Sequence, residues 1–210
     1  MISKKLNESR PFFTIITIVY NNEDFIEDCI KSVLSQTYND YEYIIIDGGS
    51  TDNTLPIINK YKKNISRIIS EKDSGIYEAF NKGLNYANGK YIGFLNSDDF
   101  YKDKSVLESI SKEIISKKTD IIFSNIKIID RNSNRTLRVQ NSKNFRPFLL
   151  RFGIAPPHPT FYCSQKVYKE VGKYSTRYKV SADFEMMVRI LYKNRYSFCH
   201  LNRIIVIMRS

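Results

Sequence analysis

The sequence predicts an α/β fold: a mostly parallel, doubly wound sheet with an added antiparallel hairpin. Three observations carry this expectation. Strand-length apolar runs alternate with segments of helical period as far as Asp120. Those runs are apolar at nearly every position, as in strands covered on both faces. Beyond Asp120 the alternation gives way to two strand-like runs around a polar turn, the pattern of a hairpin.

The elements follow in order. Phe12 to Tyr20 (FFTIITIVY) is the first strand. Asn21-Asn22 breaks it and is expected to cap a helix whose Phe25, Ile26, Cys29, Ile30, Val33 and Leu34 share one face. Tyr43 to Ile46 is a second strand, ending in Asp47-Gly48-Gly49-Ser50. Ser50 or Thr51 is expected to cap a helix carrying Leu55, Ile57, Ile58 and Tyr61. Arg67 to Ser70 is a short third strand. Ser74 opens a helix with Ala79, Phe80, Gly83, Leu84 and Ala87, and Gly89 is expected to end it. The fourth strand, Tyr91 to Leu95, runs into Asn96-Ser97-Asp98-Asp99. A helix with Val106, Leu107, Ile110, Ile114 and Ile115 follows. Asp120 to Asp130 and Thr136 to Gln140 flank the turn Arg131 to Arg135. Pro156-Pro157-His158-Pro159 is a rigid loop, Ser164 to Val171 and Ser181 to Asn194 are helices, and Ser197 to Met208 is the last strand.

The 210 residues fit one sizeable domain, 1–210. With 42% hydrophobic and 26% charged residues the composition is that of a soluble globular chain, and no apolar run reaches membrane-spanning length. Met1-Ile2-Ser3-Lys4-Lys5 has no apolar stretch behind it, so no secretory signal is expected. Cys29, Cys163 and Cys199 are scattered and odd in number, which favours a reducing, cytoplasmic compartment and no thiolate metal site. A net charge of +11 admits nucleic acid, an anionic membrane or a phosphorylated substrate as partner. No nucleic-acid-binding motif accompanies the charge, so nucleic acid is not expected.

Ligands of open parallel sheets bind at the carboxyl ends of the strands. Four polar clusters fall there: Asn21-Asn22, Asp47-Gly48-Gly49, Asp73-Ser74-Gly75 and Asn96-Ser97-Asp98-Asp99. Each alone is explained as a turn, but the set points to one crevice. Asp98 and Asp99 are adjacent and must point in different directions. One can ligate Mg²⁺ or Mn²⁺ while the other bonds a ribose hydroxyl, and the cation would neutralise charge on a diphosphate leaving group. Capping of the next helix would use one of them and leave the other unexplained. Neither GxGxxG nor GxxxxGK[ST] is present, which disfavours a dinucleotide-binding fold and a P-loop.

Several ordered motifs resemble family 2 glycosyltransferases. They are Thr17-Ile18-Val19-Tyr20-Asn21-Asn22, Ser35-Gln36-Thr37-Tyr38, and Asp47-Gly48-Gly49-Ser50-Thr51-Asp52-Asn53-Thr54. Glu71-Lys72-Asp73-Ser74-Gly75 through Gly83, and Phe94 through Asp99, resemble the branch that builds bacterial surface polysaccharides. The resemblance spans roughly residues 11 to 208. It implies a GT-A fold, with about 11–125 as the nucleotide-sugar half and about 126–210 as the acceptor half. It implies an inverting, nonprocessive transfer from a nucleotide-diphospho-sugar donor to a glycan or lipid-linked acceptor, with Mn²⁺ or Mg²⁺ as cofactor. Carried over by motif, Thr17, Val19, Tyr20, Asp47, Asp73 and Asp98 contact the donor, and Asp99 binds the metal. Many relatives have a second Asp where this chain has Gly48. Ser181-Ala182-Asp183-Phe184-Glu185 matches the motif that supplies the base, so Asp183 is the expected catalytic residue and Glu185 the substitute; a helix-terminal acid is the plain structural alternative. His158 would touch diphosphate or acceptor, or only hold its loop, and Lys72 and Lys82 could approach phosphate.

Lys143 to Gly153 (KNFRPFLLRFG) interleaves charge with large apolar groups, as at an anionic membrane surface at the inner face of the cell membrane, or in ordinary packing. A processive synthase would need a QxxRW motif, and the chain has no Trp. The alternative of a different class is a noncatalytic sugar-nucleotide or glycan-binding protein on the same fold.

Overall fold

A computed structural model describes residues 10–192 and 195–210. The expectations for Met1–Lys5 and for the end of the helix read as Ser181–Asn194 lie partly or wholly outside these residues. The strands are β1 (Phe13–Val19), β2 (Tyr41–Asp47), β3 (Arg67–Ser70), β4 (Tyr91–Phe94), β5 (Phe100–Tyr101), β6 (Ile121–Ile129), β7 (Thr136–Gln140), β8 (Tyr162–Ser164) and β9 (Phe198–Arg209). The helices are α1 (Ile26–Leu34), α2 (Thr54–Lys60), α3 (Ile76–Tyr86), α4 (Val106–Lys117), α5 (Gln165–Val171) and α6 (Ala182–Leu191).

One sheet runs in the order β3-β2-β1-β4-β8-β6-β9-β5, with β7 paired to β6. β3, β2, β1 and β4 are parallel, from Phe13↔Tyr41 to Val19↔Asp47 and from Phe13↔Tyr91 to Ile16↔Phe94. β8 is antiparallel to both β4 and β6, and β9 is parallel to β6. The chain winds outward from β1 to β3, then returns to the other side of β1 for β4. That reversal opens a crevice beyond the carboxyl ends of β1 and β4.

Both faces of the sheet are covered, which is why its strands are continuously apolar. Ile16, Ile18, Ile44, Ile46 and Phe94 pack under α3, α5 and α6. Phe13, Ile15, Tyr43 and Ile45 pack under α1, α2 and α4. Successive strand residues alternate between the two cores.

The doubly wound core and the β6–β7 hairpin agree with expectation. Two strands, β5 and β8, were not expected. β5 has two residues and β8 three, too short to show a period. β8 is held over β4 by close approach: a Cβ on Gly93 would lie 2.3 Å from the Tyr162 ring. The expected caps also differ. Asn21 and Asn22 precede α1 but do not cap it; its N-cap is Phe25. Asn53, not Ser50 or Thr51, precedes α2. α3 ends at Tyr86, and Gly89 is not a left-handed stop; a Cβ there would lie 2.3 Å from the Thr14 amide nitrogen.

Candidate functional site

The crevice is a cleft of about 820 Å³ lined by the ends of β1, β2 and β4, the loop after β3 and the start of α3. Asparagines stitch its rim. Asn21, at φ 46°, accepts from the Thr51 amide at 2.8 Å, and its own amide donates to Ser50 Oγ at 2.8 Å. Asn22 Nδ2 donates to Ser97 Oγ at 2.7 Å. The loops after β1, β2 and β4 are thereby fixed to one another.

Val19, Tyr20, Asp73 and Asp98 line this cleft together. Thr17 and Asp47 do not. Thr17 is fully buried, two residues behind Val19 on the same face of β1, where its hydroxyl accepts from Tyr43 Oη at 3.0 Å. Asp47 is fully buried as well, and its carboxylate accepts from the Ser50 amide and from Ser70 Oγ at 2.6 Å. It shapes the 47–50 turn. Neither of these two side chains, read from sequence as donor contacts, lines the cleft.

Gly48 has a specific tenant. A Cβ at Gly48 would lie 2.7 Å from Asp73 Oδ2 and 3.5 Å from the Tyr20 ring. Asp73 Oδ1 accepts from the Gly75 amide at 3.0 Å, while Oδ2 has no hydrogen-bond partner among the described residues. Burial pushes the Asp73 carboxyl above its usual range. A free acceptor oxygen thus sits beside the exposed ring of Tyr20 in the space a side chain at 48 would fill.

At the other end lies the acidic turn. Asp98 faces the cleft, whereas Asp99 is 1% exposed behind it. Asp99 Oδ1 and Asn96 Oδ1 are buried oxygens without a hydrogen-bond partner. Burial, and then the charge of Asp98, hold the Asp99 carboxyl well above its usual range. Two orphaned oxygens, one of them on the buried Asp99 carboxyl, are donors that a hard divalent cation would satisfy. Among the described residues, no cluster of three or more His, Cys, Asp or Glu is placed to hold a metal. Asn96, water and a ligand's phosphates would therefore have to complete the shell.

Arg209, outside every expected site, holds the turn from below. It is 7% exposed, donates to the Asp98 carbonyl at 2.9 Å and to Asp28 Oδ2 at 2.7 Å, and stacks over Phe25 and Phe100. Arg131, read from sequence only as part of a polar turn, also lines the cleft, stacked over Phe25. Lys72 lines the cleft, but Lys82 is engaged by Glu71, Glu78 and the Lys72 carbonyl.

A second groove, about 280 Å³, adjoins the first; Ile76 and Asn96 line both. Asp183, in the first turn of α6, lines it and accepts from Tyr77 Oη at 3.2 Å. His158 lines it too. Its Nε2 pairs with Tyr174 Oη at 2.9 Å, and its ring packs against Phe80 and Phe94. Burial pulls the His158 pKa down to about 4, so the ring is neutral near pH 7. Glu185 is on another side of α6, in a two-pronged ion pair with Arg189 at 2.6 and 2.9 Å. It does not line the groove that Asp183 lines.

Residues 143–153 divide between core and surface. Phe145 and Leu150 are buried, while Phe148 and Phe152 are 58% and 71% exposed on a 3₁₀ turn, Pro147–Phe152. Among the described residues no helix is long and apolar enough to cross a membrane.

The sequence profile of "Glycosyl transferase family 2" matches residues 14–172. A glycosyltransferase of PGL/p-HBAD biosynthesis from Mycobacterium bovis (strain BCG / Pasteur 1173P2) is 30% identical over 183 residues, 85% of this chain and 69% of that protein. The putative teichuronic acid biosynthesis glycosyltransferase TuaG from Bacillus subtilis (strain 168) is 44% identical over 96 residues, 44% of this chain and 38% of that protein. The crystal structure of S. aureus TarS 1-349 in complex with UDP-GlcNAc superposes with a TM-score of 0.79 at 20% identity. The match covers 94% of this chain and 58% of that one, so this chain spans little more than half of that structure. At this identity the likeness is one of fold: a mixed α/β, mostly parallel sheet of GT-A type.

Proposed function

The chain belongs to glycosyl transferase family 2, and on that premise we propose that it moves one sugar from a nucleotide-diphospho-sugar donor to an acceptor hydroxyl. The observation that carries this reading is the pair of adjoining cavities, one bounded by the acidic turn and the other by Asp183. Donor and acceptor would meet at Asn96, which lines both. The reaction is inverting and nonprocessive, and the acceptor is a glycan or lipid-linked glycan of a bacterial surface polysaccharide. The names of the mycobacterial and Bacillus relatives support that setting, and the UDP-GlcNAc complex of the TarS structure supports the donor class.

The nucleobase lies along Val19 and Tyr20, with Asp73 accepting from its edge. Asp98 takes the ribose hydroxyls. Asp99 and Asn96 would hold Mn²⁺ or Mg²⁺, which would offset negative charge on the departing diphosphate. Asp183 accepts the proton of the acceptor hydroxyl, whose oxygen attacks the anomeric carbon from the face opposite the leaving group. Tyr77 fixes the orientation of that carboxylate. Neutral His158 shapes the groove without adding charge. Phe148 and Phe152, with the basic residues beside them, rest on an anionic membrane at the inner face of the cell membrane, near a lipid-linked acceptor.

The test is a panel of nucleotide sugars with Mn²⁺ or Mg²⁺, read as metal-dependent hydrolysis and as thermal stabilisation. At least one donor is expected to respond, and silence from all of them would refute the reading. Asp183→Asn is expected to lower turnover about 100-fold or more with donor stabilisation unchanged. Near-full turnover of that variant would remove Asp183 from the role of base.

A further inference from the structure

β7 is built inside out. Its residues alternate faces, and Arg138 and Gln140 line the second groove while Leu137 and Val139 face solvent at 55% and 51% exposure. The pairing agrees: Arg138 lies opposite Ile128 and Gln140 opposite Ile126, and both isoleucines line the same groove. An edge strand with one wet face ordinarily turns its apolar residues inward. Here Arg138 and Gln140 border the groove, Arg138 itself remaining exposed, and two large aliphatic side chains are left in water on the other face.

Arg138 is also unengaged. Arg189, Arg203 and Arg209 each pair with a carboxylate, and Arg131 and Arg151 each stack on a ring. Arg138 has no ion pair and no side-chain hydrogen bond among the described residues. Among the described residues lining the groove, the acidic or basic side chains besides Arg138 are His158 and Asp183, which Tyr77 holds on the α6 side. An exposed planar guanidinium with free donors, bordering a groove that Ile126, Ile128 and Met208 also line, is suited to a bidentate oxyanion.

We propose that Arg138 forms an anion subsite in this groove, so that the molecule bound there carries a phosphate or carboxylate group beside the hydroxyl presented to Asp183. This assignment rests on reading the groove as the acceptor site, and it names the acceptor class as an anionic glycan. A phosphodiester-linked and a uronate-bearing chain share the required chemistry.

Glycerol 3-phosphate, methyl glucuronoside and neutral methyl glucoside are titrated by NMR into the wild type, Arg138→Gln and Arg138→Lys. At least one of the two anions is expected to bind saturably at Arg138, and which one does so tells phosphate from carboxylate. Arg138→Gln is expected to weaken that binding about tenfold or more, with an unchanged melting temperature because the side chain has no partner to lose. Arg138→Lys keeps the charge but not the fork and retains part of the affinity. If neither anion binds, or if Arg138→Gln binds them as the wild type does, the subsite is refuted. Stabilisation by UDP or GDP with Mn²⁺, measured on the same samples, reports the donor reading separately. Anion binding that depends on Arg138 in a protein that binds no nucleotide would keep the subsite and refute glycosyl transfer.

Discussion

Gly48 and Asp73 are one device made of two residues. The absent side chain at 48 is the space that Asp73 Oδ2 occupies. Gly48→Asp is therefore expected to displace Asp73 and to weaken nucleotide binding, as is Asp73→Gly alone, by about 1–3 kcal/mol each. Gly48→Asp with Asp73→Gly returns a carboxylate to the same space from the end of β2, so binding should recover toward the wild type. Calorimetric titration with UDP and GDP in Mn²⁺ measures the cycle, and strictly additive losses would show that the two positions are independent. His158 gives a second expectation at this scale. Its folded pKa of about 4 lies below the ordinary 6.5. The folded protein thus binds fewer protons, and this contribution to stability is complete above pH 6.5 and lost as pH falls through 4. A His158→Gln protein should show a shallower fall in melting temperature between pH 6.5 and 4 than the wild type. Residue roles were only partly legible in the sequence. Motif adjacency singled out Asp73, Asp98 and Asp183, which do line the cavities. It could not tell that Tyr43 covers Thr17, or that Ser50 and Ser70 consume Asp47. Arg131, Arg138 and Arg209 were unreadable because their partners or cavities are formed by segments remote in the chain.

At the scale of elements, the long apolar strands and amphipathic helices were plain because burial on both faces of a sheet imposes an unbroken pattern. The short strands were not. β8 owes its existence to the ledge between β4 and β6, a tertiary cause with no local signature. Capping failed for a related reason: Asn21 and Asn22 are better used in joining three loops than in closing one helix end. The 3₁₀ turn 147–152 is the element on which the proposed membrane contact depends. Phe148→Ser with Phe152→Ser removes its exposed aromatic pair without touching buried Leu150. The double variant is expected to lose most of its co-flotation with anionic liposomes while its melting temperature is unchanged. Equal flotation of variant and wild type would show that the turn does not contact lipid. Leu149 is packed against the core, so it is a poor choice for this test.

At the scale of the whole molecule, the donor half predicted from the first 125 residues is incomplete by itself. β9 is parallel to β6 along its length and pairs at its far end with β5, next to the acidic turn. From there Arg209 reaches the Asp98 carbonyl and Asp28. Arg209→Ala is expected to weaken Mn²⁺-dependent nucleotide binding about tenfold and to cost about 2 kcal/mol or more of stability, because it removes a buried charge that bonds the turn. Arg209→Lys should restore little, since the guanidinium both stacks and donates. Chemical denaturation and calorimetry measure the two effects. The position of β9 also bears on how the protein is made. During synthesis the loops of the cleft leave the ribosome first, yet their acidic turn stays unpinned until residues 198–209 follow. A nascent chain halted short of that strand would carry every carboxylate of the cleft and still fail to assemble it.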